Sequence, residues 1–189
     1  MHLCVISGPS TVGKSKVVTR LSKHYGFNRI LSTTTRPPRL EETNGIDYWF
    51  VSDEIFDMMK QKHMFLQVDE NKMGRYGYAK KDIEQGVCSY KPSVLDISTR
   101  GFFRLKKHSD IITTGIFLMP PSFSDIEKRL RSRGTTRGID SENDITNRLE
   151  FSYQEMEKAQ YYDYIIVNED TDLTCKYICS YIENMNGKR

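Results

Sequence analysis

The stretch VISGPSTVGKSKVV, Val5 to Val18, decides the fold. The apolar run at residues 3–6 stops at Ser7-Gly8-Pro9-Ser10, and helix-compatible sequence resumes only after Gly13-Lys14-Ser15. The spacing from Gly8 to Ser15 fits G-x-x-x-x-G-K-[ST], which is a phosphate-binding loop where it joins a strand to a helix. In that reading Gly8, Pro9, Ser10, Thr11, Val12, Gly13, Lys14 and Ser15 form a concavity of backbone N–H groups, and the following helix adds its positive end. Lys14 reaches the β- and γ-phosphates of a bound triphosphate, and the Ser15 hydroxyl ligates Mg²⁺. The alternative is a chance Gly-rich turn. Four constrained positions in eight, flanked by a strand and a helix, argue against it.

Working outward, short apolar runs alternate with helical patterns. Strands are expected at 3–6, 29–31, 93–97, 114–118 and 164–167. Helices are expected at 14–25, 101–107, 124–132, 144–160 and 174–184. This alternation predicts an α/β fold with a five-stranded, mostly parallel sheet flanked by helices. Ligands of such a sheet sit beyond the carboxyl ends of its strands.

Two segments break the rhythm. Residues 33–86 are rich in Thr, Tyr, Arg and Gly, with short strands expected at 48–51 and 64–68, and read as a small mixed insertion that holds a second ligand. Residues 134–147 begin with the polar GTTRGIDSEN and read as a lid. The core is then 1–32, 87–133 and 148–189, in a single domain.

The bulk numbers agree. A chain of 189 residues has the length of one domain, and 38% hydrophobic with 28% charged residues excludes disorder. A net charge of +3 does not call for nucleic acid or a membrane surface. No basic-then-apolar leader and no span-length apolar run are seen, and the four cysteines read as reduced thiols of a cytoplasmic protein. Cys175 and Cys179, one helical turn apart, read as packing residues rather than metal ligands.

The insertion carries STTTRPPR, Ser32 to Arg39. Arg36 and Arg39 on a Pro-stiffened loop suit the clamping of one phosphate. NGIDYWF places Tyr48 nearby and RYG supplies Tyr76, and two arginines with two phenols on one insertion suggest a monophosphate acceptor. Arg129 and Arg133, four apart on an expected helix, share a face. A basic face for nucleic acid is the rival reading of EKRLRSRGTTR, and it lacks interleaved aromatic residues.

With these motifs in hand the chain resembles the guanylate kinase family. The resemblance rests on SGPSTVGKS, STTTRPPR, NGIDYWFVS, RYGYA, VLDI, FLMPPS, RLRSRG, NRL and DYIIVN, in family order over nearly the whole chain. It implies a P-loop kinase fold, ATP as phosphoryl donor, Mg²⁺ as cofactor and GMP or dGMP as default acceptor, in a monomer or homodimer. It further implies that Ser32, Arg36, Arg39, Glu42, Tyr48 and Tyr76 surround the acceptor. Asp96 lies near the transferring phosphate and its metal, which it touches directly or through water. Arg129, Arg133 and Arg148 neutralise the moving phosphoryl group, and Asn168 stands beside the donor adenine. Guanylate-kinase-like domains that serve only as binding modules are the alternative of another class.

The family pattern fails where the base is read. The glutamate of F-[IL]-E, which accepts from guanine N1–H and the amino group, is Gln67 here. The small hydroxyl residue after YG is Tyr78, and the second acid of D-I-D is Ser98. An amide offers one acceptor and two donors where a carboxylate only accepts. The sequence therefore predicts altered base selectivity, with GMP used less selectively or the preference redirected to a non-guanine or modified base.

Overall fold

A computed structural model describes residues 3–71, 74–108, 111–137 and 142–187, with the side chains of 71, 133–137 and 186–187 excepted. Strands β1 (Leu3–Ser7), β2 (Asn28–Arg29), β7 (Ser93–Asp96), β8 (Thr113–Met119) and β9 (Tyr164–Val167) form one sheet in the order β2-β7-β1-β8-β9. Every pairing in it is parallel. The first strand of the chain is thus the middle of the sheet. It is buried on both sides, which is why residues 3–6 are uniformly apolar rather than alternating.

Alternate residues of β1 feed two cores. Cys4 and Ile6 pack with Val17, Val18 and Leu21 of α1 (Lys14–His24) and with Cys175, Ile178 and Ile182 of α7 (Thr171–Gly187). Leu3 and Val5 face the other layer. There they meet Ile83 of α3 (Lys80–Val87), Phe102 and Leu105 of α4 (Thr99–Leu105), and Tyr162. The Phe102 and Tyr162 rings stack at 4.2 Å between centroids. The cysteines of α7 pack, with Cys175 fully buried.

The chain between β2 and β7 forms a second, four-stranded sheet ordered β4-β3-β6-β5, from β3 (Thr33–Thr34), β4 (Trp49–Phe50), β5 (Phe65–Asn71) and β6 (Gly74–Ala79). Only its β3–β4 pair is parallel. Helix α2 (Asp53–Gln61) precedes β5, capped by the Ser52 hydroxyl, which accepts from the Ile55 N–H. The sequence reading contains neither α2 nor α3, and α3 extends the insertion's chain into the main core through Ile83.

Both helices beside the expected lid reach further into it than expected. α5 (Phe123–Arg137) runs through Gly134, and α6 (Glu142–Glu157) begins five residues after α5 ends. Most of the lid, including residues 138–141, lies outside the described residues or outside the described side chains. Ile126 and Leu130 of α5 pack on Ile145 of α6 in a third, small cluster.

Candidate active site

The phosphate loop follows β1 directly. Gly8, Thr11 and Gly13 have φ of 145°, 65° and 104°, so the backbone coils through conformations that L side chains avoid. The space is tight as well: a Cβ on Gly8 would stand 2.4 Å from the Leu118 carbonyl oxygen. Lys14 Nζ donates to the Gly8 and Pro9 carbonyls at 2.6 and 2.9 Å, which draws the lysine over the concavity. Ser15 Oγ donates to Asp96 Oδ2 at 2.8 Å, across 81 residues of sequence. A hydroxyl and a carboxylate oxygen meeting at the loop mouth suit a hard cation that keeps most of its ligands as water and phosphate oxygen, as Mg²⁺ does. Among the described residues no cluster of three or more His, Cys, Asp or Glu offers a metal an all-protein site.

The loop is pinned from behind. Asn168, at the end of β9 and 5% exposed, donates through Nδ2 to the Val12 carbonyl at 2.7 Å, and its Oδ1 accepts from Thr174 Oγ1 at 2.8 Å. Both halves of its amide are therefore engaged inside the protein. Arg129 of α5 donates to the Thr11 carbonyl at 3.3 Å, which lays this helix across the loop. Arg148 stands half-buried on α6. Arg133 is part of α5, and its side chain lies outside the described residues.

The insertion supplies the facing wall. Arg36 is 8% exposed, and Glu42 ties it to Arg39. Glu42 Oε1 accepts from Arg36 Nη2 at 2.9 Å and from Arg39 Nη1 at 3.4 Å, and Oε2 accepts from the Arg39 N–H at 2.8 Å. The carboxylate thus sets the two guanidinium groups side by side. Arg36 also lies 5.3 Å over the Tyr48 ring, and Tyr48 meets Tyr76 edge-on at 6.2 Å. Burial pushes the Tyr48 phenol up to about 12, with the Asp96 charge adding to it, so it stays a neutral donor.

Both halves open on one cavity of about 160 Å³ lined by Lys14, Ser32, Tyr48, Gln67, Asp69, Tyr76, Tyr78, Asp96, Ile97 and Ser98. Larger surface grooves run along α1, one of them reaching Ser15, and another shares Asp69 with this cavity.

The sequence matches the guanylate kinase family model over residues 1–185. The chain belongs to the guanylate kinase family. A guanylate kinase of Tropheryma whipplei (strain Twist) is 34% identical over 173 residues, covering 90% of this chain and 87% of the relative. One of Rickettsia prowazekii (strain Madrid E) is 34% identical over 177 residues, covering 93% and 87%. The crystal structure of guanylate kinase from Anaplasma phagocytophilum superposes with a TM-score of 0.73 at 28% identity, over 97% of this chain and 85% of that one. The chain is a nucleoside monophosphate kinase with the P-loop kinase fold.

Within this guanylate kinase fold the base-reading departures have distinct structures. Tyr78 is no loose addition to the pocket. It is 4% exposed, belongs to the core cluster around Leu95 and Ile97, and donates its hydroxyl to the Asp96 carbonyl at 2.6 Å. Burial, then the Asp96 charge, raises its phenol well above the ordinary range. Gln67 is 4% exposed, and its Nε2 has no hydrogen-bond partner among the described residues. Ser98 caps α4, accepting from the Gly101 N–H at 3.1 Å.

Two carboxylates escaped the sequence reading. Asp69 lines the cavity two residues along β5 from Gln67, and the expected strand ended one residue short of it. Glu155 of α6 is 4% exposed and accepts from Thr99 Oγ1 at 3.1 Å. Burial raises its acid range, opposed by the nearby Lys14 charge and the Thr99 hydrogen bonds.

Proposed function

We propose that the chain transfers the terminal phosphoryl group of ATP to GMP or dGMP, with Mg²⁺, giving ADP and the guanine nucleoside diphosphate. The observation that carries this reading is the shared cavity. Lys14 and Asp96 from the donor side line the same space as Ser32, Tyr48 and Tyr76 from the acceptor side. The relatives named above, each a guanylate kinase, support the same acceptor.

Phosphoryl transfer asks the protein for in-line positioning and positive charge rather than covalent chemistry. Gly8 to Ser15 cradle the donor phosphates, and Lys14 draws charge from the β–γ bridge. Ser15 and Asp96, the latter directly or through water, would hold the Mg²⁺, which when bound would neutralise charge on the phosphate oxygens. Arg36 and Arg39 clamp the acceptor phosphate, aligned by Glu42, with the Tyr48 and Tyr76 phenols donating beside them. Arg129, Arg133 and Arg148 offset the charge of the moving group. Asn168 acts through the loop it pins. Closing the insertion, residues 33–86, and the lid, 134–147, over the core 1–32, 87–133 and 148–189 keeps water from the γ-phosphate. The reaction belongs to the cytoplasm, with nucleotides as its ligands.

A second reading keeps the chemistry and changes the base. The buried Gln67 Nε2, without a partner among the described residues, and the Tyr78 ring in place of a small hydroxyl side chain favour altered base selectivity, toward a non-guanine or modified base. An ADP-release assay with ATP, Mg²⁺ and a panel of ribo- and deoxyribonucleoside monophosphates separates the two. A preference for GMP or dGMP by several powers of ten supports the first reading. Preference for another base establishes the second, and no turnover with any acceptor overturns both.

A further inference from the structure

The cavity lacks the glutamate that the family pattern expects at Gln67, yet it contains a carboxylate. Gln67 and Asp69 sit at i and i+2 on β5, roughly 7 Å apart along the strand and on one face of the second sheet. Opposite them on β6 stand Tyr78 and Tyr76, in register as Gln67↔Tyr78 and Asp69↔Tyr76. A register shift between Phe65 and Gln67 sets this alignment. The Asp69 side chain is fixed rather than adrift, because Ser98 Oγ donates to Asp69 Oδ2 at 2.6 Å while accepting from the Gly101 N–H. Ser98, which replaces the family's second acid, therefore spends its one proton on orienting Asp69.

The hydrogen-bond inventory of this wall is specific. An ionised carboxylate has about four lone-pair sites, and Ser98 takes one. Gln67 Nε2 is a buried donor with no partner among the described residues. The wall thus presents an acceptor pair beside a donor. Guanine offers the complement on one edge: N1–H and the 2-amino group as adjacent donors, with the O6 carbonyl next to them. Adenine places its N1 acceptor where the carboxylate expects a donor. Uracil and thymine offer a single N–H between two carbonyls.

We propose that Asp69, oriented by Ser98, is the guanine-reading carboxylate of this chain, moved two residues along β5 from the family position, and that Gln67 donates to the guanine carbonyl. The proposal rests on the GMP reading above. On it, the two departures at 67 and 98 are halves of one rearrangement that keeps guanine selectivity.

The test is kcat/KM for GMP, IMP and AMP in the wild-type protein, Asp69→Asn and Ser98→Ala, each with its thermal midpoint. IMP keeps N1–H and O6 and lacks the amino group. Asp69→Asn should lower kcat/KM for GMP about 10- to 1,000-fold, the worth of one or two charge-assisted hydrogen bonds at tenfold per 1.4 kcal/mol. The loss should sit mainly in KM, with IMP losing less and AMP losing nothing, so the GMP/AMP ratio collapses. Ser98→Ala should shrink that ratio by a smaller factor of about 3 to 10, and it decides the matter if Asp69→Asn does not fold. GMP/IMP/AMP ratios equal to wild type in the folded variant overturn the proposal, whatever the absolute rates. A wild-type protein that turns over no GMP overturns the functional reading instead, and it is recognised in the unmutated arm alone.

Discussion

Tyr78→Ser restores the small hydroxyl residue of the family pattern, and it should cripple stability rather than repair the pocket. The Tyr78 ring is 4% exposed and packs in the cluster that contains Leu3, Val5, Leu95 and Ile97. Its hydroxyl, donating at 2.6 Å, satisfies the Asp96 carbonyl. Emptying a buried aromatic site costs about 3–5 kcal/mol, a large part of the roughly 5–15 kcal/mol that holds a domain together. Tyr78→Phe removes the hydroxyl alone and should cost about 0.5–3 kcal/mol, depending on whether water reaches the carbonyl. With a urea m-value of about 2 kcal/mol/M, the serine variant should unfold at a urea midpoint lower by roughly 1.5–2.5 M, and the phenylalanine variant by at most about 1.5 M. Equilibrium unfolding followed by circular dichroism measures both. A serine variant with the wild-type midpoint would refute the reasoning, because the ring would then be a detachable pocket lining. Equal midpoints for the two variants would refute the division between ring and hydroxyl.

Gly8→Ala forces a Cβ onto the Leu118 carbonyl oxygen at φ 145°, and it should abolish ATP binding by calorimetry and lower the unfolding free energy by about 1–3 kcal/mol. Asp96→Asn should raise the Mg²⁺ concentration for half-maximal turnover about 10- to 100-fold, read from a metal titration at saturating nucleotide. Glu155 is an acid whose range is raised by burial from an ordinary value of 4.5. The folded state therefore holds that proton more tightly than the unfolded one. Its contribution is complete below 4.5 and is lost as pH rises through the raised value. Glu155→Gln should remove this loss, so the wild-type midpoint should fall relative to the variant's as pH rises from about 4 to 7; parallel profiles would contradict it.

The central sheet was legible because its strands are short apolar runs with buried faces and because the phosphate loop dates the first of them. The insertion was less so. β3 and β4 are two residues each, too short to carry a period. α2 had its signals, Ser52 as cap and Asp53 and Glu54 in the first turn, but it buries only Phe56 and reads as part of a polar stretch. Gly86 and Gly134 bound the expected insertion and lid, yet both lie inside helices. Position 86 takes glycine because a side chain there would strike Ile30. At the site, residue types announced the phosphate chemistry, since Lys14, Ser15 and Asp96 have few other reasons to converge. The base pocket depends on which strand face a side chain takes. Asp69 shares its face with Gln67, and that became visible only with the β5–β6 register. Tyr78 lines the pocket as expected, and its burial also makes it a core residue whose hydroxyl serves the backbone.

The Asn168–Val12 hydrogen bond spans 156 residues, and β1 lies between strands that begin 90 and 110 positions later. During synthesis the apolar residues 3–6 must therefore wait, unpaired, until β7 and β8 have emerged. The phosphate loop acquires its back support only when β9 follows. Such long-range closure is slow compared with local helix formation. A nascent chain stopped before Asn168 would hold most of the sheet and lack the pin on its nucleotide loop. Added ATP would then do little to pull the partial chain toward the native state, and ligand rescue of folding should begin only near the end of translation.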